Sequence, residues 1–188
     1  IGFDKMSIRE GVATNFYSRK YKIDYATNIV ERNINIVNYA LSIEISHADI
    51  LGKEPFLYSS KDYEFNKISR VRKNILLIPG ASFESKRYPV KNFSQLTKYI
   101  DANFLVIWGN EDEKVMADKI KFFSPEINVL DKLSLKALIS LVSKVDLVIG
   151  PDTGPTHLAW ALNKPSITLF GPTPGYRNTF STQINKIG

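Results

Sequence analysis

The 188-residue sequence contains no cysteine and only two histidines, His47 and His157. Disulfides and thiolate metal sites are therefore excluded, and a histidine-based metal cluster nearly so. Any chemistry must rest on carboxylates, hydroxyls, amines and backbone dipoles. No run of eighteen or more apolar residues occurs and no basic-then-apolar leader opens the sequence. Nothing reads as a membrane span or a signal peptide, and the expectation is a soluble protein on the cytoplasmic side. Neither G-x-G-x-x-G nor G-x-x-x-x-G-K-[ST] is present, which argues against a dinucleotide dehydrogenase and a P-loop nucleotidase. A Ser-His-Asp hydrolase would lack its G-x-S-x-G elbow. Glu111-Asp112-Glu113 faces no second acidic cluster at another strand end, so no metal is expected there.

What is present suffices for one sizeable core, or for one domain and part of another: 44% of the residues are hydrophobic and 23% charged. The net charge of +6 favours an anionic partner, whether a nucleotide, a phosphorylated glycolipid or a nucleic acid, and does not choose among them. Scattered surface lysines that only keep a protein soluble account for that charge as well.

Two helices are predicted at the start. Ser7 and Glu10 have capping-box spacing ahead of Ile8, Val12 and Phe16, and Asn28 and Glu31 precede Val30, Ile34, Val37 and Leu41. Residues 47–72 have no strong period and are expected to connect domains. After Arg72, short apolar runs at 75–78, 104–107, 127–130, 147–149 and 167–170 alternate with helical stretches at 93–100, 113–123, 135–145 and 156–162. This is the pattern of a doubly wound α/β domain with a parallel sheet, which binds ligands at the carboxyl ends of its strands. The opening on Ile1 and the stop at Gly188 soon after a strand lead us to expect a fragment.

The loops at those strand ends carry the informative residues. Gly150 to Ala159 sits between a strand and a helix, where unpaired backbone N–H groups and Gly154 suit a pyrophosphate. Thr153 and Thr156 offer hydroxyls and His157 a ring nitrogen, while Asp152 is suited to orienting His157 or bonding sugar hydroxyls. Helix capping by Asp152 or Thr153 is the plainer alternative. Ala81 to Pro89 combines Ser82 and Ser85 with Lys86 and Arg87, a composition suited to phosphate oxygens. Glu111 to Glu113 lies within reach of a nucleoside, although acidic residues in a first helical turn also serve the helix dipole.

Asp152-Thr153-Gly154-Pro155-Thr156-His157-Leu158-Ala159, followed by Ala161-Leu162, Pro165 and Leu169-Phe170-Gly171-Pro172-Thr173, resembles the signature of the lipopolysaccharide heptosyltransferases of glycosyltransferase family nine. Gly2-Phe3-Asp4, Ser7, Arg9-Glu10 and Phe16-Tyr17 resemble those members that add the first heptose. The resemblance implies a GT-B fold: residues 1–46 end an acceptor-binding domain, 47–72 connect, and 73–188 form most of a Rossmann-like nucleotide-sugar-binding domain. It implies inverting transfer of heptose from ADP-L-glycero-D-manno-heptose to the Kdo of a Kdo-lipid A acceptor, without cofactor or metal. Lys86 would meet the phosphates and stabilise the leaving group. Ser82, Glu113 (or Glu111), Asp152, Thr153, Gly154 and His157 would complete the donor site, and Arg9 would contact the anionic acceptor; Arg177 stands where the family spacing changes. The aspartate base of the family matches no segment here, so the chain alone is expected to turn over little. Peripheral contact with the anionic inner membrane from the cytoplasmic side, and no nucleic acid, complete the expectation. The rival readings are another GT-B enzyme, such as a sugar-nucleotide epimerase, and a non-catalytic basic module that binds nucleic acid or anionic membrane.

Overall fold

The computed structural model describes residues 1–188, which form two compact units: Ile1–Lys53 with Gly175–Phe180, and Glu54–Pro174 with Ser181–Gly188.

The first unit departs from expectation at its start. In place of a helix from Ser7, strand β1 (Gly2–Phe3) pairs in parallel with β2 (Lys20–Tyr21), and Gly11–Phe16 forms a 3-10 helix. The reason is competition for the Ser7 hydroxyl, which donates to Asp4 Oδ1 and accepts from the Ile23 amide at 2.9 Å, leaving Glu10 as an N-cap without a side-chain bond. Val12 and Phe16, expected on a buried stripe, are 75% and 85% exposed. The second helix is found as α1 (Ile29–Leu41). Asn28 caps it by accepting from the Val30 amide, and its Nδ2 donates to the Tyr176 and Thr179 carbonyls. On this helix Arg32 is buried. It donates to the Ser7 and Asp24 carbonyls and lies over the rings of Phe3 and Tyr25. Burial lowers its pKa and Arg177 adds to that, against the opposing pull of Tyr25 and Asp24.

Residues 47–72, expected as a connection, hold structure of their own. Ser46 and Asp49 form a reciprocal capping box that starts α2 (His47–Leu51). Further on, Leu57, Phe65 and Ile68 pack on the core of the second unit.

The second unit alternates as predicted: β3 (Asn74–Leu77), α3 (Val90–Gln95), β4 (Asn103–Val106), α4 (Glu111–Phe123), β5 (Asn128–Val129), α5 (Leu135–Lys144), β6 (Leu147–Pro151), α6 (Gly154–Ala161) and β7 (Ser166–Leu169). A final strand, β8 (Asn185–Ile187), had no counterpart in the sequence reading. All strands of this sheet run parallel in the order β5-β4-β3-β6-β7-β8. The chain leaves β3 toward β4 and β5, then returns to β3's other side as β6. That reversal opens a crevice beyond the carboxyl ends of β3, β4 and β6. Side chains alternate along β3, as a pleated strand dictates. Leu76 and Ile78 join Leu141, Val142 and Ala159 from α5 and α6 on one face, while Ile75 and Leu77 join Phe93, Ala117 and Ile120 from α3 and α4 on the other.

Candidate functional site

The crevice is furnished by the loops that follow β3, β4 and β6. After β3 the chain runs through Ile78 to Ala81 and turns in a 3-10 helix at Glu84–Lys86; Arg87 Nε donates back to the Ala81 carbonyl at 3.2 Å. This turn delivers Lys86 to the end of β6. There Asp152 accepts from Lys86 Nζ on one carboxylate oxygen at 2.7 Å and pairs with His157 Nε2 on the other at 2.9 Å. The Asp152 side chain is only 8% exposed, against 23% for Lys86 and 34% for His157. Burial pushes the Asp152 carboxyl up, but the hydrogen bonds from Lys86 and His157 outweigh it and hold the group below its ordinary value. Asp152 is thus ionised and orients both neighbours. An ammonium has three donors, so Lys86 keeps two for another anion.

The start of α6 differs from the starts of α4 and α5. Asn110 accepts from the Glu113 amide and Ser134 from the Ala137 amide, whereas Thr153, the N-cap of α6, makes no side-chain cap bond. The capping alternative therefore fails for Thr153. A Cβ placed on Gly154 would meet nothing within 4 Å, so the backbone there is open to approach. Thr156 corrects the reading of its hydroxyl as an anion donor. The residue is buried, and its Oγ1 lies against Gly150 without a hydrogen-bond partner.

Beside the helix start is a cavity of about 350 Å³. Ile78, Ile107, Leu133 and Leu138 make its apolar wall and Trp108 a flat one, with the indole fixed by donation to the Leu130 carbonyl at 2.8 Å. Thr153 and Glu113 line its polar edge. Glu113 Oε2 accepts from the Gly109 amide at 2.6 Å. Glu111, the alternative, is exposed and does not line the cavity. Lys86, Asp152, Thr153, Gly154, His157 and Glu113 are thus gathered at one sheet end, while Ser82 is exposed and outside the carboxylate cluster. Arg9 is exposed in the first unit, and Arg177 is engaged there, over the Tyr25 ring at 3.9 Å and donating to its carbonyl. Sequence reasoning missed Trp108, Leu133 and Leu138. Trp108 alone carried a signal, as a large aromatic directly at a strand's carboxyl end.

Parallel sheet, switch-point crevice, oriented cation and small apolar cavity define a Rossmann-like domain with a cation and an apolar hollow side by side at its switch point. The family model for glycosyltransferase family 9 (heptosyltransferase) matches residues 1–186, and the chain belongs to that family. It is 39% identical over 200 residues to lipopolysaccharide heptosyltransferase 1 of Campylobacter coli, covering 99% of this chain and 58% of that one. With lipopolysaccharide heptosyltransferase 1 of Escherichia coli K12 it shares 26% identity over 178 residues, covering 93% and 54%. The solved E. coli heptosyltransferase WaaC with ADP superposes with a TM-score of 0.74 at 23% identity, covering 99% of this chain and 57% of that one. A family 9 glycosyltransferase from Veillonella parvula gives a TM-score of 0.68 at 16% identity, covering 93% and 54%. The likeness establishes the GT-B type of fold; the chain spans a little over half the length of these relatives.

Proposed function

We propose that this chain forms the nucleotide-sugar side of an enzyme that transfers heptose from ADP-L-glycero-D-manno-heptose to the Kdo of a Kdo-lipid A acceptor. The observation that carries this reading is the Lys86–Asp152–His157 cluster at the open start of α6, beside an apolar cavity of about 350 Å³. That volume is at the small end of ligand sites, roughly 300 Å³ and above, and suits a nucleoside. The base lies against Trp108 and the aliphatic wall, and Glu113 accepts from the ribose. The diphosphate meets the free donors of Lys86 and the Gly154 amide at the start of α6, which stabilise the charge that grows on departing ADP. Attack by the acceptor hydroxyl from the opposite face inverts the anomeric carbon. No segment of residues 1–188 matches the family's base loop, so this reading gives the chain donor binding and leaving-group stabilisation. No helix is long and apolar enough to cross a membrane. The lipid-linked acceptor reaches the enzyme by peripheral contact at the cytoplasmic face of the inner membrane, to which the net charge of +6 contributes.

Isothermal titration with ADP and UDP tests the reading. Saturable ADP binding, weakened roughly tenfold or more by Lys86→Ala and not matched by UDP, is the expected result, given the strength of hydrogen bonds to charged groups. Stronger binding of UDP would favour a sugar-nucleotide epimerase, and a folded protein that binds neither would refute the assignment of the cavity.

A further inference from the structure

Gly80 follows β3 at the edge of the cavity. No glycine of the chain has a positive φ, so its backbone makes no demand that only glycine meets. Space makes the demand. The nearest atoms that a Cβ at Gly80 would meet all belong to the Glu113 side chain (Cδ, Oε1 and Cγ), at separations closer than real Cβ contacts allow. Glu113 Oε2 is meanwhile held by the Gly109 amide at 2.6 Å, and the Glu113 amide is held by Asn110 Oδ1 at 3.0 Å. The carboxylate is therefore located by two strand ends together: a donor at the end of β4, and the space left by a missing side chain at the end of β3.

We propose that Gly80 is a positioning residue for donor specificity: its lack of a side chain seats the Glu113 carboxylate on the cavity edge, where it reads the ribose diol of the nucleotide. A carboxylate has about four acceptor sites. Gly109 uses one, and the remainder accept from two vicinal hydroxyls. An alanine at position 80 displaces the carboxylate and leaves Lys86 and the start of α6 in place. The inference rests on the nucleotide reading above and adds to it the residue that sets Glu113.

The test titrates wild type, Gly80→Ala, Glu113→Ala and the double variant with ADP and with 2′,3′-dideoxy-ADP, with thermal melts alongside. Wild type prefers ADP by roughly tenfold or more. Gly80→Ala loses that preference to the level of Glu113→Ala, binds dideoxy-ADP within about twofold of wild type, and gains no further loss in the double variant. Preference intact in Gly80→Ala, or a second independent drop in the double variant, overturns the inference and leaves the nucleotide site standing. So does a wild type that binds the two nucleotides equally. A wild type that binds neither refutes the nucleotide reading and this inference with it. Gly80→Ala melts close to wild type, because what it displaces is the far end of a flexible side chain. If it fails to fold but folds again with Glu113→Ala, the clash is with Glu113 as proposed; failure in both backgrounds refutes it.

Discussion

Replacing Asp152 by Asn keeps the shape of the side chain and removes its charge. The carboxylate is 8% exposed and holds one cation donor on one oxygen and one ring nitrogen on the other. An amide has one acceptor oxygen, so one partner then faces an N–H₂ group. Removing one member of a fully buried charge pair costs about 3–5 kcal/mol. Lys86 and His157 remain partly exposed and rehydrate, which lowers the expectation to about 2 kcal/mol at pH 7. For a chain of this size that is a fall of roughly 4–8 °C in melting temperature. Both tryptophans, Trp108 and Trp160, belong to the sheet unit, so urea unfolding followed by their fluorescence reads the right structure. The pH dependence gives a second check. The Asp152 carboxyl lies below its ordinary value when folded, so its contribution is full above that ordinary value and is lost as the pH falls through the folded one. Wild type and Asp152→Asn should therefore differ at pH 7 and converge as the pH drops below about 4. A variant within 0.5 kcal/mol of wild type at pH 7, or a difference that persists undiminished at low pH, would refute the reasoning.

Phe93→Ala should cost about 3–5 kcal/mol in the same unfolding assay, since Phe93, on α3, is fully buried against α4 and the sheet and meets Tyr88 edge-on. Gly150→Ala and Gly154→Ala form a contrasting pair. A Cβ at Gly150 presses on Thr156 and Ile78 and should cost about 1–3 kcal/mol. One at Gly154 meets nothing and should leave stability within about 0.5 kcal/mol, while the proposed donor site calls for weaker ADP binding in the titration, the methyl occupying the diphosphate's approach on that reading.

The sheet was legible because β3, β4 and β6 carry short apolar runs and the helices α4 and α5 carry start signals: Asn110 and Ser134 cap as their residue types predict. The opening segment was not, although its spacing was helical. A capping box needs a free hydroxyl, and that of Ser7 is taken by Asp4 and Ile23, the latter sixteen residues away. Helix α2 carried a legible signal in Ser46-His47-Ala48-Asp49, hidden by a short and otherwise polar stretch. Strand β8 escaped because Asn185-Lys186-Ile187 has a single apolar residue; its place comes from Asn185 Nδ2 donating to the Lys164 carbonyl and Ser166 Oγ. In the site, the charged and hydroxyl residues lay next to recognisable strand ends. The cavity wall did not, because Leu133 and Leu138 meet Ile78 and Trp108 only once the sheet order is known.

The glycines at the strand ends separate two roles that sequence alone merges. Gly80, Gly150, Gly154 and Gly171 all lie at or just beyond strand ends, yet none has a positive φ that only glycine would meet. At three of them the space of the missing side chain is already filled from within the protein: by the Glu113 carboxyl at Gly80, by Thr156 and Ile78 at Gly150, and by the Ser85 carbonyl at Gly171. The first of these sets a polar group, the second closes β6 against β3 and α6, and the third lets the loop after β7 lie on the loop that carries Lys86. Only at Gly154 does the space open outward. It does so at the one helix start among α4, α5 and α6 whose N-cap side chain makes no cap bond, one turn from His157 and next to the Lys86–Asp152 pair. Three glycines are thus packed from within and the fourth faces open space, which is why substitution at Gly150 should be read in stability and substitution at Gly154, on the proposed donor site, in binding.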